Sequence, residues 1–226
     1  MPNDLTLVYY TANRISDFFA NNIRDHLAHY SGRGLPIISV SHKPIKLGQN
    51  ICIGETPPSF YTLYKQILIG CREIKTEYLA CCEDDCLYTP EHFAYRPEKN
   101  IVAYNFNRWN VNGNVYYYRR RFGMCTCITE TKLLLDILEQ RYAKYPVEFP
   151  QDDRLRALLE PGKYQEFSEF PPVEMELFET KIPVLTFNHR PSLGGMRKLT
   201  KGDLIEESLP YWGEAEVLRR IFYGRS

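Results

Sequence analysis

The N-terminal residues alternate between a strand pattern and a helix pattern, and this alternation limits the fold more than any other feature of the sequence. Residues 5–10 form a compact apolar and β-branched run, and residues 37–41 form a second one. Between them, apolar residues recur at helical spacing, at Ile15, Phe18, Phe19, Ile23 and Leu27. Ser16 suits the N-cap of this helix, and the glycines within residues 31–34 end it. A strand, a helix and a strand in this order predict a parallel sheet with helices on its faces.

The rest of the chain predicts further elements with less regular spacing. Helices are predicted at residues 60–74, 133–142, 152–159 and 214–222, and strands at 76–82, 101–106, 115–118, 124–129 and 184–187. The strands between 101 and 129 read as an extension of the sheet. Residues 42–58 carry prolines and glycines without periodicity and predict a long loop, and the proline-rich segment 145–172 predicts mostly loops.

Composition favours one globular α/β domain over residues 1–226. The chain has 44% hydrophobic residues, enough to bury a core, and equal numbers of basic and acidic residues, 28 each, so no global charge attracts it to a polyanion. Because no stretch approaches the roughly 20 apolar residues of a membrane span, we expect a cytoplasmic protein without such a span. The predicted fold class is α/β: a mostly parallel central sheet flanked by helices, with an irregular C-terminal region.

The cysteine pattern suits a reducing compartment. There are seven cysteines, an odd number, and Cys81, Cys82 and Cys86 lie close together. A zinc site that combines these three with Cys125 and Cys127 is one interpretation. Because the pairs lack Cys-x-x-Cys spacing, buried thiols on strands are the favoured one.

Three consecutive acids follow the predicted strand at residues 76–82. Glu83, Asp84 and Asp85 would stand at the carboxyl end of a central strand, the edge where open α/β sheets bind ligands. Three carboxylates in one place repel each other, and Mg²⁺ or Mn²⁺ bridging to substrate phosphates is a common form of compensation. A solvated acidic turn, or the start of a helix at Thr89-Pro90-Glu91, is the alternative interpretation.

The segment from Tyr78 to Phe93, with its acidic triplet and Pro90, resembles the Asp-x-Asp region of GT-A glycosyltransferases, especially the inverting family 2. Three further segments resemble that family in order and spacing over roughly residues 5–195. Thr11-Ala12-Asn13-Arg14 resembles its first nucleotide-contacting loop, and Gln151-Asp152-Asp153-Arg154-Leu155 resembles its acceptor-side acidic motif. Asn188-His189-Arg190 lies where many members have a late metal-binding histidine. The chain departs from the family in having Glu83 where aspartate is usual.

The resemblance implies a single GT-A-like domain, with residues 1–93 binding the nucleotide-sugar and residues 94–226 forming the acceptor side. It implies Mn²⁺ or Mg²⁺ as the cofactor and a nucleoside diphosphate sugar, expected to be a uridine diphosphate sugar, as the donor. The implied metal ligands are Asp85, Glu83 and His189, and the implied donor contacts are Thr11, Asn13, Arg14, Glu83, Asp84 and Arg190. Asp153 takes the position of the catalytic base, with Asp152 and Glu148 as alternatives.

Several functional alternatives stay open. The hydroxyl acceptor is a surface glycan or a hydroxymethylated pyrimidine in phage-type DNA. A nucleotidyltransferase acting on a sugar phosphate would also use acids beside a parallel sheet, but the loop after the first strand lacks the glycine that such enzymes usually carry there. A non-catalytic nucleotide-sugar-binding domain would have no use for the second acidic motif. Tyr116–Tyr118 and Arg119–Arg121 form either a stacking and phosphate-binding patch or an ordinary strand with a solvated basic end, which is slightly favoured.

Overall fold

A computed structural model of the chain describes residues 4–118, 120–147, 159–163, 165–190, 193, 199–200 and 202–224. The helices are α1 Asp17–His26, α2 Phe60–Glu73, α3 Pro90–Ala94, α4 Thr131–Lys144 and α5 Ala215–Tyr223. The strands are β1 Leu5–Thr11, β2 Ile37–Ser41, β3 Gln49–Cys52, β4 Tyr78–Glu83, β5 Cys86–Leu87, β6 Val102–Asn105, β7 Arg108–Asn112, β8 Val115–Tyr118, β9 Cys127–Glu130, β10 Met175–Phe178, β11 Val184–Phe187, β12 Leu204–Glu206, β13 Ser208–Leu209 and β14 Gly213–Glu214.

The main sheet is mostly parallel, which confirms the predicted fold class. Its strands lie in the order β10-β6-β9-β4-β1-β2-β3, and helices cover it. β1 pairs in parallel with β2 on one side and with β4 on the other, so that Tyr10 lies opposite Glu83. β9 is the exception, because it runs antiparallel to both of its neighbours, β4 and β6.

A second sheet, in the order β12-β8-β7-β11-β5, packs beside the first. The strands predicted at residues 101–106 and 124–129 extend the main sheet as β6 and β9, but the strand at 115–118 belongs to the second sheet, so that part of the predicted sheet extension was wrong. The prediction of a loop over residues 42–58 was also wrong in part, because this segment contains β3, which pairs in parallel with β2 at the edge of the sheet. Backbone pairing with a neighbouring strand supplies order there that no side-chain periodicity indicates.

Local signals start the helices that hold the main sheet. The Ser16 hydroxyl caps α1 by accepting from the Phe19 N–H, and the Ser59 hydroxyl caps α2 by accepting from the Thr62 N–H at 3.0 Å. The backbone of α2 then comes very close to β1, because a Cβ added to Gly70 would lie 2.7 Å from Cγ1 of Val8. This close contact fixes α2 against the carboxyl-terminal half of the sheet.

The cysteines and the helices carry two further findings. All seven thiols are free, and all except the exposed Cys52 are buried, as the favoured interpretation predicts. Within the described ranges, no helix combines the length and the apolar content that crossing a bilayer requires.

His92 on α3 is a neutral histidine inside the core, and we expect it to make stability fall in mild acid. The ring is fully buried, Nδ1 lies 3.3 Å from the Asn105 amide that donates to it, and burial lowers the pKa of His92 to about 3. The unfolded chain binds a proton there below about pH 6.5 and the folded chain does not, so this part of the stability is lost as the pH falls from 6.5 towards 3. Between pH 7.5 and pH 5 the loss from this one residue should be about 2 kcal/mol.

Urea unfolding of His92→Phe and of the parent chain at both pH values checks this expectation. The free energy of unfolding should fall by about 2 kcal/mol less in His92→Phe than in the parent. His29→Asn, at an exposed histidine on the surface, should behave as the parent does. Equal losses in parent and His92→Phe would mean that His92 is protonated in the folded chain.

Candidate active site

The three acids occupy the passage from one sheet to the other. Glu83 is the last residue of β4, Asp84 and Asp85 form the turn, and β5 then joins the second sheet by pairing antiparallel with β11. The Phe187 N–H, at the end of β11, donates to the Asp85 carbonyl oxygen at 2.8 Å. This pairing brings His189, over a hundred positions along the chain, next to Asp85.

Glu83 is half-buried, and its carboxylate is held by a tyrosine. The Tyr10 hydroxyl donates to its Oε1 at 2.8 Å, and its own backbone N–H donates to the Tyr88 hydroxyl at 3.1 Å. Tyr88 is fully buried and donates onward to the Cys125 carbonyl oxygen at 2.9 Å. Burial, together with the negative charges of Cys125 and Asp85, raises the pKa of Glu83 well above its ordinary value.

Asp84, Asp85 and His189 form a compact group of potential metal ligands. One ligand atom from each of the three lies within 4.8 Å of the other two, and His189 Nε2 is 3.0 Å from Asp85 Oδ2. The Thr11 hydroxyl donates to Asp84 through a short hydrogen bond. Burial and the neighbouring Asp85 raise the pKa of Asp84 to about 6. Burial opposes protonation of His189, but the hydrogen bond to Asp85 and the negative charges of Asp85 and Asp84 together outweigh it and raise the pKa of the imidazole.

This group fits a divalent cation. Two carboxylates and an imidazole offer the oxygen and nitrogen ligands that Mn²⁺ accepts, and Mg²⁺ binds through one or two carboxylates. Burial is the main cause of the raised pKa of Glu83 and of Asp84, and neighbouring negative charge adds to both, so that additional positive charge would favour the ionised acids. A bound cation would supply that charge.

Arg108 and Cys125 form a second charged pair beside Glu83, which the sequence analysis did not include in the site. The Arg108 guanidinium is buried, and its Nη1 donates to the Cys125 sulfur at 3.0 Å. A hydrogen bond from Cys86 and the charge of Arg108 lower the pKa of Cys125 to about 6. Glu83, Cys86 and Cys125 also group as potential ligands, but Arg108 already balances charge there. No local motif marks this pair, because β7 and the segment before β9 meet only in the fold.

The loop after β1 is held against β2. The Gln66 amide, buried within α2, donates to the carbonyl oxygens of Thr11 at 2.9 Å and Val40 at 3.0 Å. Asn13 has a positive φ of 53° and its Oδ1 accepts from the Lys43 N–H at 2.9 Å. These bonds fix the backbone that carries Thr11 and Arg14.

The three acids and His189 border one cavity of about 490 Å³, a volume typical of small-ligand sites. On the β1 side its lining includes Thr11, Ala12, Arg14, His42, Ser59 and Gln66. At its centre lie Glu83, Asp84, Asp85 and His189, and on the β9 side Arg108, Arg120, Arg121, Phe122, Cys125 and Lys163. The order β9-β4-β1 in the sheet produces this division, because the amino end of the antiparallel β9 lies at the same edge as the carboxyl ends of β4 and β1.

The structure brings together some of the predicted site residues and separates others. Thr11, Arg14, Glu83, Asp84, Asp85 and His189 all line the cavity. The Asn13 side chain accepts a hydrogen bond from the Lys43 backbone and does not line the cavity. Arg190 is exposed and does not line the cavity either. Asp152, Asp153 and Glu148 lie outside the described residues. Glu83, predicted as a metal ligand, is hydrogen-bonded to Tyr10, whereas Asp84 stands in the group with Asp85 and His189.

The aromatic and basic segment near β8 divides in the same way. Tyr116 and Tyr117 are fully buried core residues, which agrees with the interpretation as an ordinary strand. Arg120 and Arg121 instead line the cavity, and Arg119 lies outside the described residues.

We expect His189→Ala to weaken the affinity for Mn²⁺ by about 10-fold or more, because the imidazole is one of three clustered ligand groups and orients Asp85. Calorimetric titration with Mn²⁺ checks this. His29→Ala, at an exposed histidine, is the matched control and should leave the affinity unchanged. An unchanged affinity in His189→Ala would assign the imidazole a purely structural role.

No protein-family model matches the chain, and no curated protein matches it either. Similar solved structures include a nucleotidyl transferase from Methanothermobacter thermautotroptrophicus, at 14% identity and a TM-score of 0.43 over 68% of this chain and 81% of that one. Another is TarS of S. aureus in complex with UDP-GlcNAc, at 10% identity and a TM-score of 0.46 over 84% and 60%. A third is the bifunctional IspDF from Campylobacter jejuni, at 12% identity and a TM-score of 0.37 over 79% and 50%. The chain thus spans less than two thirds of the last two, and similarities of this size do not separate sugar transfer from nucleotidyl transfer.

Proposed function

We propose that this chain is a metal-dependent glycosyltransferase of the GT-A type, moving a sugar from a uridine diphosphate sugar to a hydroxyl acceptor. The observation that carries the proposal is the grouping of Asp84, Asp85 and His189 at the carboxyl end of β4, inside the cavity. Open α/β sheets bind their ligands at this edge. The sequence resemblance around the same three acids supports the same assignment.

The two ends of the cavity suit the two parts of such a donor. On the β1 side, Thr11, His42 and Ser59 offer small polar groups and Gln66 holds the backbone, an environment suited to a nucleoside. Arg14 lines the cavity on the same side and supplies a cation for the diphosphate. The sugar would then point past Glu83 towards the β9 side.

In the proposed reaction, the chain positions charges and holds protons. A divalent cation, when bound by Asp84, Asp85 and His189, neutralises the charge on the departing diphosphate. The Thr11 hydroxyl orients Asp84, and Tyr10 fixes Glu83 beside the sugar. For an inverting displacement, a carboxylate must take the proton from the acceptor hydroxyl on the far side of the sugar, and we assign this role to Asp153.

Calorimetry with uridine diphosphate, with and without Mn²⁺, tests the proposal. Mn²⁺ should tighten the binding of uridine diphosphate by about 10-fold or more, since a cation held by Asp84, Asp85 and His189 would supply positive charge to the diphosphate. Binding of the same strength in the presence of a chelator would contradict the assignment.

A second assay separates sugar transfer from nucleotidyl transfer. Incubated with UDP-glucose or UDP-N-acetylglucosamine, the chain should slowly release uridine diphosphate, because water can replace the absent acceptor. Incubated with uridine triphosphate and a sugar 1-phosphate, it should release no pyrophosphate. Pyrophosphate release would assign the cavity to a nucleotidyltransferase.

A further inference from the structure

The β9 side of the cavity carries a basic wall, formed by Arg108, Arg120, Arg121 and Lys163. Two of these cations already have partners. Arg108 donates to the Cys125 sulfur at 3.0 Å, and Lys163 pairs with Glu160 at 2.8 Å. No hydrogen bond or ion pair joins Arg120 or Arg121 to a described residue.

The segment that carries the two unpaired arginines is firmly held. Lys163 donates to the Phe122 carbonyl oxygen at 2.7 Å and stands over the Phe122 ring at 4.6 Å. The Phe122 ring in turn packs on Tyr104, with centroids 4.7 Å apart. Arg120 has a positive φ of 47°, a backbone conformation that residues other than glycine rarely adopt. The backbone beside the two arginines is therefore held at the cavity, and both arginines are exposed.

The position of these arginines separates them from the donor's diphosphate. In the sheet order β9-β4-β1, the loop carrying Thr11 and Arg14 lies on one side of Glu83, and the segment from Arg120 to Cys125 lies on the other. In the proposed function the nucleotide and its metal occupy the β1 side and the centre. The basic wall then faces the acceptor, which approaches the sugar from the other side.

We propose that Arg120 and Arg121 bind a phosphate group of the acceptor, close to the hydroxyl that receives the sugar. This inference rests on the proposed function for the direction of the donor. Each guanidinium presents a planar fork of N–H donors that fits two phosphate oxygens, and two adjacent forks suit a phosphate group better than a neutral hydroxyl. Charge balance agrees, because Glu160, the acid that lines this side, is already paired with Lys163.

Binding of glycerol 3-phosphate, measured calorimetrically in the presence of a chelator, tests the inference, with glycerol as the uncharged comparison. The parent chain should bind glycerol 3-phosphate and not glycerol, and the double variant Arg120→Gln/Arg121→Gln should bind it about 10-fold or more weakly. Arg219→Gln/Arg220→Gln removes the same charge from an exposed adjacent pair on α5 and should change the affinity less than about 2-fold. Equal losses in the two double variants, or no binding to the parent, would overturn the inference.

Two further arms separate this site from the donor site and identify the source of the phosphate. Asp85→Asn should keep glycerol 3-phosphate binding, and Arg120→Gln/Arg121→Gln should keep Mn²⁺-dependent uridine diphosphate binding. Loss of uridine diphosphate binding in Arg120→Gln/Arg121→Gln would mean that the arginines contact the donor and would overturn the inference. Binding of uridine diphosphate that does not depend on metal would contradict only the proposed function. An eight-nucleotide single-stranded DNA that binds more tightly than glycerol 3-phosphate, with the same dependence on Arg120 and Arg121, would identify a phosphodiester chain as the source. Tighter binding of the monoester would identify a small sugar phosphate.

Discussion

Asp85→Asn should abolish Mn²⁺-dependent binding of uridine diphosphate, with a loss of affinity greater than about 100-fold, while the chain keeps its fold. Asp85 is buried in the turn between the two sheets, and its carboxylate lies with Asp84 and His189 in the ligand group. Asparagine keeps the size and one acceptor oxygen but removes the charge that attracts a hard cation. Calorimetry with uridine diphosphate and Mn²⁺ measures the effect.

Stability separates a lost ligand from a damaged fold. Asp84 and Asp85 are adjacent in this turn, and burial together with the negative charge of Asp85 raises the pKa of Asp84 to about 6. Removing one charge in the absence of metal should therefore leave the thermal midpoint unchanged or slightly higher. Asp25→Asn, at an exposed position on α1, is the matched control and should bind uridine diphosphate and Mn²⁺ as the parent does. Asp85→Asn with an affinity within about 3-fold of the parent would remove the basis of the proposed metal centre.

Asp153→Asn should keep donor binding and lose transfer. A positioned general base contributes about 10²- to 10⁴-fold, so turnover should fall in this range while the dissociation constant of uridine diphosphate barely changes. If Asp153 served only to open a helix, asparagine would replace it at a cost of about 0.3 to 1 kcal/mol in stability and none in turnover. Release of uridine diphosphate in the presence of acceptor measures the difference.

The neighbouring acids provide the controls for this prediction. Asp152→Asn and Glu148→Gln remove a charge within the same acidic segment and should keep turnover near that of the parent. If Asp153→Asn is active and one of the two control variants is inactive, the residue changed in that control is the base. If all three are active, the reaction is not the inverting displacement that we propose.

The sequence predicted the parts of the fold that local signals determine. The strand at residues 5–10, the Ser16 cap and the stripe on α2 are recognisable because apolar periodicity and capping involve neighbours in the chain. The burial of Cys81 and Cys82 on β4 follows in the same way from a short apolar strand between polar ends. The strand β3 was missed because its order comes from pairing with β2, and none of its residues is fully buried.

For the site, the sequence alone determined that three acids follow a buried strand and that a β1 loop and a late histidine accompany them. Which of those acids stands with His189 was decided by the tertiary structure, through the pairing of β5 with β11. The antiparallel insertion of β9 between β4 and β6 likewise brought Cys125 and the two unpaired arginines to the same cavity, and Arg108 reaches it from β7 in the second sheet. Contacts between residues tens of positions apart depend on strand order and direction, which side-chain periodicity within one segment does not encode. For that reason the chemistry of the central acids was visible in the sequence, and the pairing of Arg108 with Cys125 beside them was not.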